Sequence, residues 1–218
     1  MNIAENILRH NLQNVLFLVG SACGGKTTMA RAIAKKHGLT YISEDWQSDK
    51  WNAEIVDPRY QPNAANRKEM DWEAYFSRSV EEFLANKNDD HGNDEYLQFL
   101  FVELIKESQK NKIITDAWIT DYDFLLSISD RSRIACLLAP GELIVRDYYD
   151  REEHMAFTNC IKSLKDPDKK FAIQNELFKI GALEEAAKAK EYGLFSITRT
   201  DDSTVDATLK MLEGHFGL

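Results

Sequence analysis

Apolar residues run without interruption from Val15 to Val19, and the run stops at Gly20. A continuous run, rather than an alternating one, suits a strand buried on both faces of a parallel sheet. Residues 26–37 follow with Met29 and Ile33 on one helical face and alanines beside them. Gly38 then closes the segment, which predicts a helix. Residues 39–43 read as a second short strand, completing a βαβ unit whose connection is expected to be right-handed.

From residue 44 to about residue 67 the period is lost. Trp46, Trp51, Pro58, Tyr60 and Pro62 are scattered among polar residues, which predicts a loop-rich excursion. Asp71 is placed to cap a helix carrying Trp72, Tyr75, Phe76, Val80, Phe83 and Leu84, ending in a turn-like stretch over residues 86–92. Asp94 is placed to cap a deeply packed helix over residues 95–110, apolar nearly all round. Short strands are expected at 112–115, ending at Asp116, and at 134–139, ending at Pro140-Gly141, with a helix over 122–129 between them. A charged helix is expected from 142 to about 160. Asp168 then caps another that reaches Tyr192, with Gly193 as terminator. Residues 194–198 form the last strand and 203–215 the last helix. Strands alternating with helices predict an α/β fold with a parallel sheet of about five strands.

Composition narrows the function. The 218 residues suit one domain spanning 1–218, and 44% hydrophobic with 29% charged residues is ordinary for a packed globule. With 36 acidic against 27 basic side chains, the net charge of -9 argues against nucleic acid as a partner. Cys23, Cys136 and Cys160 are far apart with no CxxC pair, so neither a zinc site nor a disulfide framework is indicated. The apolar run ending at Gly20 is too short for a leader or a membrane segment, and a cytoplasmic protein is expected.

One segment carries specific chemistry. Gly20-Ser21-Ala22-Cys23-Gly24-Gly25-Lys26-Thr27 fits G-x-x-x-x-G-K-[ST], between a buried strand and a helix N-terminus. Backbone N–H groups and the positive helix end suit phosphates, Lys26 reaches the β and γ phosphates, and Thr27 suits Mg²⁺. The bland alternative is a glycine turn that only joins strand to helix. Asp116, at a strand's carboxyl end, is placed to hold the metal, although such aspartates also cap helices. Glu44 and Asp45 after the second strand offer a carboxylate for an acceptor's hydroxyl proton, or a solvated cap. Arg146 and Arg151 suit a transferring phosphoryl group, or form a salt-bridged helix face with Asp147, Asp150, Glu152 and Glu153. Cys23, three residues before Lys26, is expected to have a lowered thiol pKa if it serves the site, and to be inert if buried.

These residues, together with Ile114-Thr115-Asp116, Leu137 to Glu142 and Ile197-Thr198-Arg199-Thr200, resemble the P-loop small-molecule and nucleotide kinases of adenylate-kinase-like and shikimate- or gluconate-kinase-like type. The resemblance implies a three-layer fold with sheet order 2-3-1-4-5, a helical acceptor-binding insertion over residues 44–93 and a lid over about 142–168. It implies ATP and Mg²⁺ as cofactors and Thr28 within the phosphate-binding run. Arg199 would lie on the loop lining the adenine, and Asp45 rather than Glu44 would face the acceptor. Two departures stand out: Cys23 replaces a usual glycine, and the third strand runs into Asp116-Ala117-Trp118-Ile119-Thr120 rather than an Asp-Gly-Phe/Tyr-Pro-Arg run. The expected activity is phosphoryl transfer to a small molecule, its rival a nucleotide-binding regulatory or interaction protein with weak ATPase activity.

Overall fold

The computed structural model describes residues 3–66, 70–86 and 93–218. Helix α1 (Glu5–Asn11) leads into β1 (Val15–Val19), α2 (Lys26–His37) and β2 (Thr40–Ile42). The excursion holds α3 (Ser48–Glu54), α4 (Pro62–Asn66), α5 (Trp72–Phe76) and α6 (Val80–Ala85), and α7 (Asn93–Ser108) returns the chain to β3 (Ile113–Thr115). Then come α8 (Tyr122–Ile128), β4 (Ile134–Leu138), α9 (Gly141–Asp147), α10 (Met155–Lys162), α11 (Pro167–Glu191), β5 (Phe195–Thr198) and α12 (Val205–Phe216).

The five strands form one parallel sheet in the order β2-β3-β1-β4-β5, the order expected. The central strand explains its own composition. Val15, Phe17 and Val19 pack on one face with Leu12, Leu100, Leu104 and Tyr122, while Leu18 packs on the other with Met29, Ile33 and Leu212. Successive side chains leave a strand on opposite sides, so a strand covered on both must be apolar at every position. Truncating Phe17, fully buried, to alanine is expected to cost about 3–5 kcal/mol.

Four local expectations are corrected. Trp51 is not in a loop: it lies on α3, is 2% exposed, and stacks on Phe99 of α7 with ring centroids 5.6 Å apart. The helix expected from Asp71 is two helices. Asp71 caps α5 through the Ala74 N–H, and Ser79 with Glu82 forms a reciprocal capping box that starts α6 afresh. The charged helix after Pro140 is also broken, with α9 ending at Asp147 and α10 starting at Met155, so Arg146 and Arg151 do not share a helix. Asp94 and Asp168 sit inside the first turns of α7 and α11 rather than at their caps, and Pro167 opens α11. Apart from Asn86, the turn expected over 86–92 lies outside the described residues.

The excursion and the segment after α9 are joined. Phe76 of α5 packs edge-on to Phe157 of α10 at 5.6 Å, and the Lys170 ammonium, 5% exposed at the start of α11, donates to Glu73 Oε1 at 2.8 Å and to the Lys165 carbonyl at 2.6 Å. Among the described residues no helix is long and apolar enough to cross a membrane.

Candidate active site

The turn from β1 to α2 is pressed against the end of β4. A β-carbon on Gly20 or Gly24 would fall 2.4 or 2.3 Å from the Leu137 carbonyl oxygen, inside any van der Waals contact, so only glycine allows this approach. Ser21 Oγ accepts the Ala139 N–H at 2.7 Å, and Arg199 N–H donates to the Leu138 carbonyl at 2.8 Å. The ends of β4 and β5 are thereby fixed beside one loop. Cys23 occupies the left-handed region at φ 56°, where an L side chain is strained.

Lys26 Nζ donates to the carbonyls of Gly20 and Ser21 at 2.9 and 2.8 Å, folding back along the loop. Burial lowers its pKa, opposed by the carboxylates of Glu44 and Asp116. Thr27 Oγ1 donates to Asp116 Oδ2 at 2.6 Å, and Tyr41 Oη donates to the same carboxylate at 3.1 Å. Asp116 is 6% exposed, so its charge is held among hydroxyl donors at the carboxyl end of the sheet.

Two cavities open from this loop. One, of about 520 Å³, is bordered by Gly24, Gly25, Thr28, Arg146, Arg199 and Thr204. The other, of about 730 Å³, is bordered by Lys26, Thr27, Tyr41, Glu44, Asp45 and Asp116. Gly25 and Arg151 border both. The loop residues, Glu44, Asp45 and Asp116 are thus together, and Arg151 joins them. Arg146 stands apart on the first cavity, paired with Asp147 at 2.6 Å and Asp201 at 2.8 Å. Arg199 also faces the first cavity and donates to Asp147 Oδ2 at 3.0 Å and to the Cys23 carbonyl at 2.9 Å. The adjacent arginines hold the Asp147 carboxyl below its ordinary range, Arg146 most strongly.

The two carboxylates that follow β2 differ in their partners. Glu44 Oε2 accepts the Trp118 N–H at 2.7 Å, and the protein crowded around it raises its carboxyl above the ordinary range, against the pull of that N–H and of Lys26. Glu44 and Asp45 are both exposed to solvent, and Asp45 accepts the Ser43 hydroxyl at 2.5 Å.

Of the two outcomes expected for Cys23, the structure gives the buried one. It is 4% exposed, and burial raises the pKa even though the Arg151 guanidinium donates to the thiol. Desolvation outweighs the neighbouring charge. Sequence reading also missed Tyr148, His154 and Trp118 on the second cavity. His154 Nδ1 donates to the Tyr148 carbonyl at 2.9 Å and its ring stacks on Tyr148 at 3.8 Å. Two aromatic rings separated by five residues within a charged stretch were the available signal.

Neither a family model nor a curated protein matches the chain. Among solved structures it is similar to the shikimate kinase of Bacteroides thetaiotaomicron, at 17% identity over 94% of this chain and 98% of that one, with a TM-score of 0.49. It is also similar to a shikimate kinase of Acinetobacter baumannii in complex with shikimate, at 15% identity over 93% of each chain and a TM-score of 0.49.

Proposed function

We propose that this protein is an ATP- and Mg²⁺-dependent phosphotransferase that moves the γ-phosphoryl group of ATP to a hydroxyl of a small molecule. The observation that carries this reading is the placement of the phosphate loop between two cavities that share Gly25 and Arg151. A donor in one and an acceptor in the other would meet at the loop, which is what direct transfer needs and simple hydrolysis does not.

In this reading Gly24, Gly25, Thr28 and Arg199 hold the nucleotide, with the loop's N–H groups on its phosphates. Lys26 leaves the Gly20 and Ser21 carbonyls for the β and γ phosphates. Thr27 and Asp116 would hold Mg²⁺: their paired hydroxyl and carboxylate are hard oxygen donors of the kind the ion takes alongside phosphate oxygens. When bound, the ion neutralises charge on the phosphates. We assign the acceptor's proton to Glu44, which lies within the field of Lys26 and Asp116, and a hydroxyl of the acceptor to Asp45. The acceptor oxygen forms the new P–O bond as the bond to the β-phosphate oxygen breaks, its proton passing to the carboxylate and ADP leaving. Arg151, reaching both cavities, stabilises charge on the group in transit.

Calorimetric titration with ATP and Mg²⁺ tests the nucleotide half. Wild type is expected to bind, and Lys26→Ala to bind on the order of 100-fold more weakly. Equal affinity in the two proteins removes the basis of the proposal. ADP release that no hydroxylated compound accelerates would instead favour the regulatory reading.

A further inference from the structure

The larger cavity has a charge pattern of its own. Lys26, Thr27, Asp116 and Arg151 belong to its phosphate end in the reading above. Along the rest of its described wall stand Glu44, Asp45, Glu152 and Glu153, against Arg31 as the remaining cation with a permanent charge. Arg31 is at the exposed rim, its guanidinium 5.8 Å from the centre of the Tyr41 ring, and Glu153 is taken up by Arg151 at 2.5 Å. Even with that pair set aside, three carboxylates face one guanidinium. Trp118, 49% exposed, presents an indole on the same wall, and its backbone N–H donates to Glu44 beside it.

A carboxylate-bearing acceptor would enter this end against like charges, whereas a protonated amine would meet carboxylates and an aromatic face together. We infer that the acceptor is a hydroxylated amine, an amino sugar or amino alcohol carrying positive charge, with its ammonium held by Glu152 and Asp45 beside the Trp118 ring. The inference rests on the kinase reading and goes beyond it by fixing the sign of the acceptor's charge. It also gives Glu152 and Trp118 a part in specificity.

The test uses the full chain with ATP and Mg²⁺ and a panel of compounds matched in threes: an amino alcohol or amino sugar, the neutral polyol of the same skeleton, and the corresponding hydroxy acid. ADP release is measured for each, and ATP affinity is measured separately by calorimetry without acceptor. Stimulation is expected from amines, weaker from polyols and absent from acids. Glu152→Gln is expected to raise KM for the responding amine about tenfold with kcat little changed, since a charge-assisted hydrogen bond is lost. Glu152→Lys should move the preference toward the acids. Stimulation by acids, or by no amine at all, overturns the inference while ATP binding leaves the nucleotide half standing. Loss of ATP binding would instead count against the kinase reading itself. Unchanged KM in both Glu152 variants also overturns it.

Discussion

Thr27 Oγ1 donates to Asp116 Oδ2 at 2.6 Å, joining the first turn of α2 to the end of β3 across 89 residues of chain. If this pair holds the metal, Asp116→Asn should abolish the Mg²⁺ dependence of ATP binding and lower kcat on the order of 100-fold. Titrating Mg²⁺ against a fixed ATP concentration decides it. An unaltered Mg²⁺ dependence in a folded variant would return Asp116 to a structural role, tying Thr27 and Tyr41.

Glu44 and Asp45 separate by pH. A general base must be ionised, so kcat should fall as pH falls through the carboxyl's pKa. Crowding puts that limb above the ordinary glutamate range. Glu44→Gln should lower kcat about 10²–10⁴-fold and erase the limb. Asp45→Asn should act mainly on the acceptor's KM. A limb that persists in Glu44→Gln and vanishes in Asp45→Asn would exchange the two assignments.

The two arginines should also divide. Arg151→Ala is expected to reduce kcat on the order of 1000-fold with ATP affinity nearly kept, since this group reaches both cavities. Arg146 is an exposed member of a chain of ion pairs, and its removal should change ATP affinity modestly and thermal stability hardly at all. Single-turnover rates and melting curves of both variants would expose a reversed pattern.

The Glu73–Lys170 pair gives stability a sign in pH. The Lys170 ammonium and the Lys165 N–H hold the Glu73 carboxyl below its ordinary value of 4.5, so the unfolded chain takes up the proton first as pH falls. The pair's contribution is therefore complete above that value and is lost as pH drops through the folded one. Glu73→Gln should melt lower than wild type at pH 7, with the gap closing below the ordinary value. A gap independent of pH would mean that packing, not charge, is responsible.

Thiol labelling should favour Cys160. Burial raises the pKa of all three thiols, but Cys160 is partly exposed whereas Cys23 and Cys136 are buried. Mass-spectrometric mapping of alkylation is expected to find Cys160 modified first. Faster labelling of Cys23, with protection by ATP, would restore the reactive thiol expected from its place in the loop.

The parts legible in the sequence are those in which local chemistry and tertiary position make the same demand. β1 must be apolar throughout because both its faces are covered, and the loop must carry glycine where the Leu137 carbonyl stands. The excursion was opaque because helices of five to seven residues, such as α3 and α5, complete too few turns to display a period. Trp51 read as part of a loop because its partner Phe99 lies 48 positions on. Trp118 and His154 border one cavity only because distant segments converge there, and neither belongs to a motif.

The contact of Gly24 with Leu137 also constrains how the molecule can change. The oxygen it abuts belongs to the strand that runs through Ala139 and Pro140 straight into α9. One methyl group added at Gly24 would press on that strand and so shift the start of the segment bearing Arg146 and Arg151. The setting of the glycine loop and the placement of the arginines are therefore a single mechanical adjustment. Variation that retunes one independently of the other must arise beyond α9, in the chain between Tyr148 and His154 that carries Arg151.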